Sequence, residues 1–119
     1  MKKTLIIGAS TNPERYSYKA AEKLLNYGHP IEMIGRRKDH LFDKPIHVEK
    51  IAIDNLHTVT LYLSAKFQAE YYDYILSLKP KRVIFNPGTE NPEFQNILAE
   101  NNIDFEDACT LVLLATNSY

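Results

Sequence analysis

Thr4-Leu5-Ile6-Ile7-Gly8-Ala9-Ser10 decides the fold of this chain. An apolar, β-branched run stops at a glycine, and a loop of small, hydroxyl-bearing residues opens onto a helix. Backbone N–H groups at such a strand-to-helix turn, added to the positive end of the helix dipole, form an anion site. The dinucleotide fingerprint reads G-x-G-x-x-G, but here Ser10 and Pro13 stand where its second and third glycines would be. The loop therefore points to phosphate more clearly than to NAD.

Outward from this stretch, strand and helix signals alternate to the end of the chain. The first strand covers about residues 3–8. A helix follows over about Ser17–Tyr27, with Tyr18, Ala21, Leu24 and Leu25 on one face, Ser17 as N-cap, and Gly28 with Pro30 as its stop. The second strand, Ile31–Ile34, ends at Gly35 and runs into Arg36-Arg37-Lys38. Within 39–58, Lys44-Pro45 reads as a turn and Ile46–Val48 as a short strand. A further strand covers Val59–Leu63 and closes at Ser64-Ala65. The next helix is expected over Lys66–Leu78, with Phe67, Tyr71, Tyr74, Ile75 and Leu78 inward and Pro80 ending it. Val83-Ile84-Phe85 is a strand whose C-terminal loop is Asn86-Pro87-Gly88-Thr89. Asn91-Pro92-Glu93 opens a helix with an Asn cap, Pro at the first helical position and an acid in the first turn. Phe94, Ile97 and Leu98 form its buried stripe. Ile103–Phe105 is a last short strand, and Thr110–Ala115 is a buried helix or strand.

This alternation with short connections implies an α/β, doubly wound, mainly parallel sheet with helices on both faces. Ligands bind such sheets at the carboxyl ends of the strands, where the strand order reverses. Residues 8–17, residues 35–38, and Ser64 with Asn86–Thr89 are thus expected to meet.

An NAD site wants Asp or Glu at the end of the second strand, to bond the ribose hydroxyls. Gly35-Arg36-Arg37-Lys38 stands there instead. Guanidinium and ammonium groups attract a phosphate on the ribose, as NADP carries on its 2′ oxygen and coenzyme A on its 3′ oxygen. The alternative is a solvated basic turn. Ser10, Asn12 and Arg15 supply hydroxyl, amide and guanidinium to a pyrophosphate over the first loop. Alternatively, Asn12-Pro13 is a turn and Arg15 pairs with Glu14 or Glu22 on the surface.

The totals set the frame. At 119 residues the chain reads as one domain with room for a hydrophobic core. A net charge of −1 gives no reason to expect nucleic-acid or membrane-surface binding. No apolar run approaches the ~20 residues of a membrane span, and Leu5-Ile6-Ile7 is too short for a signal-peptide core. One cysteine, Cys109, excludes an internal disulfide framework and fits a reducing cytoplasm. The four histidines show no metal-ligand spacing.

Gly8-Ala9-Ser10, Asn12-Pro13, Ser17-Tyr18, Thr60-Leu61-Tyr62, Asn86-Pro87-Gly88-Thr89-Glu90-Asn91 and Ala108-Cys109-Thr110 together resemble the small, single-domain CoA-binding proteins. These are similar to the CoA-binding domain of the succinyl-CoA synthetase α-chain, and the resemblance runs over almost the whole chain in order. It implies a Rossmann-like domain that binds coenzyme A or an acyl-CoA. The pyrophosphate would lie over residues 8–18, and the adenosine toward the ends of the second strand and of the 59–63 strand. By the resemblance Ser10, Arg15 and Tyr18 map to the first loop, Arg36–Lys38 to the second-strand end, Ser64 to the end of the 59–63 strand and Gly88 to the 86–89 loop. The full set of expected ligand-binding positions is Gly8, Ala9, Ser10, Asn12, Arg15, Ser17, Tyr18, Gly35, Arg36, Arg37, Lys38, Ser64, Asn86, Pro87 and Gly88. Many relatives carry Asn-Pro or a similar turn where this chain has Gly35-Arg36-Arg37, and Asn-Pro where Ser64-Ala65 stands. The synthetase's phosphoryl-accepting histidine belongs to a second domain, and none of His29, His40, His47 or His57 matches it. The resemblance therefore implies binding and not ligase activity.

Cys109 as a nucleophile would attack a thioester or form a mixed disulfide with CoA; its commoner role is that of a buried small hydrophobe. Asp104, Glu106 and Asp107 are split between faces by strand alternation. No base and nucleophile pair has convincing spacing. The expectation is a non-catalytic sensor, carrier or accessory protein, with a homodimer or an enzyme as partner. Of Tyr71, Tyr72 and Tyr74, which could stack on adenine, the buried helix face explains most; Tyr72 falls on the other face, where an aromatic excess marks a dimer contact. The rivals are an NADP-linked oxidoreductase and a module that kept the fold without the ligand.

Overall fold

The computed structural model describes residues 1–119. One seven-stranded sheet organises the chain: β1 (Thr4–Ala9), β2 (Ile31–Gly35), β3 (Asp39–Leu41), β4 (Lys44–His47), β5 (Thr58–Leu61), β6 (Arg82–Phe85) and β7 (Asp104–Asp107). The spatial order is β3-β4-β2-β1-β5-β6-β7. Every pairing is parallel except the β3–β4 hairpin at one edge. The helices are α1 (Tyr16–Asn26), α2 (Tyr72–Leu78), α3 (Pro92–Glu100) and α4 (Thr110–Ala115). From β1 the chain winds outward through β2 to the hairpin, then returns to the other side of β1 as β5. This reversal, between β1 and β5, is where a Rossmann-like α/β sheet opens a crevice.

Strand alternation sorts the core onto the two faces of the sheet. Leu5, Ile7, Val59, Leu61, Val83 and Phe85 meet Ile75, Phe94 and Leu98 from α2 and α3. Ile6, Met33 and Ile84 meet Ala21, Leu24 and Leu114 from α1 and α4. Burial on both faces explains why β1 and β6 read as unbroken apolar runs rather than alternating ones.

Two glycines set how closely the central strands approach. Gly8 has φ +99° and sits where the β1–β2 register shifts between Ile7 and Ala9. A Cβ on it would lie 2.9 Å from the Tyr62 carbonyl oxygen. A Cβ on Gly35 would lie 2.6 Å from the Ala9 oxygen and 2.9 Å from Ile46 Cγ2. Both glycines are required by close packing at the carboxyl ends of β1 and β2.

Three local expectations differ from what forms. The hairpin turn is Phe42-Asp43, with φ 53° and 61°, and Lys44-Pro45 begins β4. Phe42 packs on Tyr18 with ring centroids 5.1 Å apart, which supports a left-handed turn without glycine. The helix expected over Lys66–Leu78 is two 3₁₀ turns, Ala65–Phe67 and Ala69–Tyr71, followed by the shorter α2. Gln68 interrupts it. This side chain is 1 % exposed and donates from Nε2 to the Leu63 oxygen (2.9 Å) and the Thr89 oxygen (2.8 Å). Turning Gln68 inward leaves Phe67 48 % exposed instead of inside. At α1 the N-cap is Arg15, and Ser17 is buried within the first turn. Thr110–Ala115 is a helix, and Tyr72 stacks on Phe94 at 4.3 Å.

The amino ends of the strands carry a pH-sensitive cluster. His29 Nδ1 accepts from the Lys2 backbone N–H at 3.0 Å, and His57 Nδ1 lies 2.8 Å from Thr58 Oγ1. Burial first, then the charges of the amino terminus, Lys2 and Arg82, lowers the pKa of His29. Burial, then Arg82, Lys2 and Lys81, does the same to His57. Both folded values lie below the unfolded one, so the unfolded chain binds more protons as pH falls through about 6.5. The stabilising contribution is present above that value and is lost below it. The thermal midpoint is therefore expected to drop between about pH 7 and pH 5, and a His29→Gln/His57→Gln variant to flatten that slope. An identical slope in the variant would refute the assignment.

Candidate functional site

The carboxyl ends of β1, β2, β5 and β6 bring three loops together. Gly8 touches the Tyr62 backbone, and Gly35 touches Ala9. Arg36 Cζ lies 6.0 Å from the Phe67 ring centroid, which ties the turn after β2 to the turn after β5. Gln68 bonded to the Thr89 oxygen ties the latter to the loop after β6.

The first loop is shaped by its own side chains. Ser10 Oγ accepts from the Asn12 N–H at 3.0 Å, Asn12 Oδ1 accepts from the Glu14 N–H at 3.0 Å, and the Arg15 N–H donates to the Asn12 oxygen at 3.0 Å. These short-range bonds fix the turn ahead of α1. The N-cap of α1 makes no side-chain hydrogen bond, and its first turn holds no acid. Its leading N–H groups and the positive end of the helix are thus left to an external anion.

Arg15 at that helix start is exposed, as are Arg36, Arg37 and Lys38, which follow the Gly35 packed on Ala9. The one ion pair in the structure, Arg82–Glu106 at 3.6 Å, is elsewhere. Arg15 therefore does not pair with Glu14 or Glu22. Lys66 adds a further cation, with Nζ 5.1 Å from the Phe67 centroid. Ser64 stands at the head of the 3₁₀ turn, exposed, and makes no capping bond with its hydroxyl.

Other expected positions serve from inside. Asn86 is 2 % exposed. Its Nδ2 donates to Thr60 Oγ1 (2.6 Å) and the Leu61 oxygen (2.9 Å), and its Oδ1 accepts from the Thr110 N–H (2.9 Å). It clamps β6 to β5 and to the start of α4, with no polar atom left over. Ser17 is buried, and Tyr18 is half-buried against Phe42. Gly8 and Ala9 are half-buried, Gly35 is buried, and Pro87 and Gly88 are exposed. The Gly88 N–H donates to Glu90 Oε1 at 2.9 Å, so the β6 side of the crevice carries a carboxylate where the β2 side carries cations. Phe67, Lys66 and Glu90 lie in these loops but outside the set of expected ligand-binding positions, Phe67 having been expected inward. The polar Gln68 in an otherwise apolar helical stripe was the one signal for Phe67.

One hydroxyl near this end is bonded to a carboxylate, Tyr72 donating to Glu93 Oε1 at 3.1 Å on the exposed start of α3, and neither the Ser10 hydroxyl nor the Cys109 thiol has such a partner. Ser10 Oγ takes a backbone N–H, and Cys109 is half-buried as the N-cap of α4 without a side-chain bond. Burial pushes the Tyr62 phenol up to about 12, so it stays protonated at neutral pH. What the arrangement offers is charge-assisted binding of phosphate groups.

Comparison with known proteins agrees in fold and in family. A crystal structure of an uncharacterized protein superposes with a TM-score of 0.98 at 50 % identity, covering 100 % of this chain and 98 % of the other. A hypothetical protein from Pyrococcus horikoshii OT3 gives 0.86 at 23 % identity, covering 93 % of this chain and 80 % of the other. A Thermus thermophilus protein, cell-free ID.343, gives 0.86 at 18 % identity, covering 99 % and 90 %. The last two show the fold alone. No curated protein matches the chain. The family model of the CoA binding domain matches residues 2–115, and with nearly its whole length inside that match this chain belongs to the CoA-binding domain family.

Proposed function

We propose that this protein binds coenzyme A or an acyl-CoA through its phosphates, as a sensor, carrier or accessory to an enzyme. The observation that carries the reading is the run of exposed cations without ion pairs, Arg36, Arg37 and Lys38, directly after Gly35, which packs on Ala9 at the end of β1. The residues fit the ligand. The pyrophosphate suits the leading N–H groups of α1 with Arg15. The 3′-phosphate suits the turn after β2, where a carboxylate would repel it. Pro87 and Gly88, exposed on the less cationic side, leave room for the uncharged pantetheine arm. The Ser10 hydroxyl is engaged in shaping its own loop, a role that suits binding rather than group transfer.

NADP shares the feature of a phosphorylated ribose, and family membership favours CoA. Isothermal titration with CoA and dephospho-CoA tests the assignment. Wild type is expected to bind CoA more tightly by about 10-fold or more, since bonds to a charged group contribute about 1.5–3 kcal/mol. In an Arg36→Ala/Arg37→Ala variant, which keeps Lys38, the difference between the two ligands should become small. Equal affinity in wild type would remove the 3′-phosphate from the turn.

A further inference from the structure

We infer that the exposed face shared by α1 and α4 docks a second copy of this chain across a two-fold axis, an inference independent of the ligand. Three of the large hydrophobic side chains that the fold leaves in solvent belong to these two helices: Tyr16 (66 % exposed), Tyr27 (48 %) and Val112 (56 %). Between the helices runs a groove of about 470 Å³, with Lys19, Glu22, Lys23 and Tyr27 along its α1 side and Leu111 and Ala115 along its α4 side. Tyr72, the aromatic expected to mark a dimer contact, is already engaged. It stacks on Phe94, and its hydroxyl accepts from Asn91 Nδ2 and donates to Glu93 Oε1.

The charges choose the occupant. Glu22 lies one turn from Lys19 and next to Lys23, yet it forms no ion pair within its own chain, and Lys19 Nζ rests over the Tyr16 ring at 5.2 Å. A two-fold contact is self-complementary, so each sign on the face must meet the other sign on its copy. With the axis crossing α1 between Ala21 and Glu22, the two helices run antiparallel and Glu22 of the second copy falls level with Ala21. That level is midway between Lys19 and Lys23, about 3 Å along the helix from each. Both lysines of each chain thereby reach the glutamate of the other. A wholly acidic partner would leave Glu22 opposed by its own sign, and a wholly basic one would do so to Lys19 and Lys23. A stable pair buries about 800 Å² on each partner, roughly an eighth of the 6743 Å² that this chain exposes. Helix α1, eleven residues and about 16 Å long, is too short to supply that area alone. Leu111, Val112 and Ala115 of α4 border it and add apolar surface.

Sedimentation velocity at low ionic strength, where exposed charges are least screened, tests this with wild type, Glu22→Lys and Lys19→Glu/Lys23→Glu. Wild type is expected to shift from the mass of one chain to that of two as concentration rises through the micromolar range. Each variant carries a single sign along the face. It should dimerise more weakly by on the order of 10- to 100-fold, because like charges then meet at every pair. Mixed in equal amounts, the two variants should form a heterodimer, which shows that the loss was electrostatic. All three side chains are exposed, so far-ultraviolet circular dichroism should match wild type and show that the variants fold. Wild type with the mass of one chain at every concentration overturns the inference. So does a wild-type dimer that either variant leaves intact, or a mixture of the variants that forms none.

Discussion

Reversing charge at Arg36 and Arg37 (Arg36→Glu/Arg37→Glu) is expected to lower CoA affinity by at least about 100-fold while leaving the fold intact. Two charge-assisted bonds are lost, each about 1.5–3 kcal/mol, and like-charge repulsion is added. Neither side chain forms an ion pair, and both are exposed, so the unliganded stability should shift by no more than about 0.5 kcal/mol. The weakening of binding by salt should also become shallower, because part of the screened attraction is replaced by a repulsion that salt relieves. Calorimetry at two ionic strengths reads both effects. A variant that binds CoA as wild type does would make the basic turn a solvated surface feature.

The second large effect is on stability. Asn86→Leu is expected to destabilise the fold by about 3 kcal/mol, lowering the midpoint by on the order of ten degrees. The leucine fits the volume but leaves the Thr110 N–H at the start of α4 without its acceptor. It also removes the donor to Thr60 Oγ1 and the Leu61 oxygen. Each buried group left unsatisfied costs about 1–3 kcal/mol. Because Asn86 leads directly into Pro87-Gly88, the loop beside the crevice loosens as well. Urea denaturation measures the loss; a change below about 0.5 kcal/mol would show that the amide is not the clamp between β5, β6 and α4.

The parts of the fold that were readable in the sequence are those where local chemistry and tertiary packing agree. The β1 run is apolar on both faces because both faces are covered. Gly28, with φ 84°, ends α1 as a C-terminal glycine should. Asn91 accepts from the Phe94 N–H at 3.1 Å with Pro92 next, the arrangement its sequence announced. Where a single side chain overrides the pattern, reading fails. Gln68 breaks a helix by bonding across to the β6 loop, a long-range contact that periodicity cannot register. Phe42 and Asp43 make a left-handed turn without glycine because Phe42 finds Tyr18.

The site divides along the same line. Its location follows from the α/β rule that loops at the carboxyl strand ends converge, and the cations of the turn after β2 were visible as a run. Which side chains stay free to meet a ligand was not visible. Ser10 and Asn12 use part of their hydrogen-bonding capacity on the loop itself, Asn86 uses all of it inside, and Ser17 is buried. Phe67 was expected inward because an aromatic at helical spacing reads as core, and the fold leaves it exposed.

Thermal unfolding of the ligand-stripped protein with CoA, dephospho-CoA, NADP and NAD added separately tests CoA binding most directly. A ligand at 100 times its dissociation constant adds about 2.7 kcal/mol, a shift on the order of ten degrees at this size. A large shift is expected with CoA, a smaller one with dephospho-CoA and none with NAD. A shift with NADP and none with CoA would contradict CoA as the ligand.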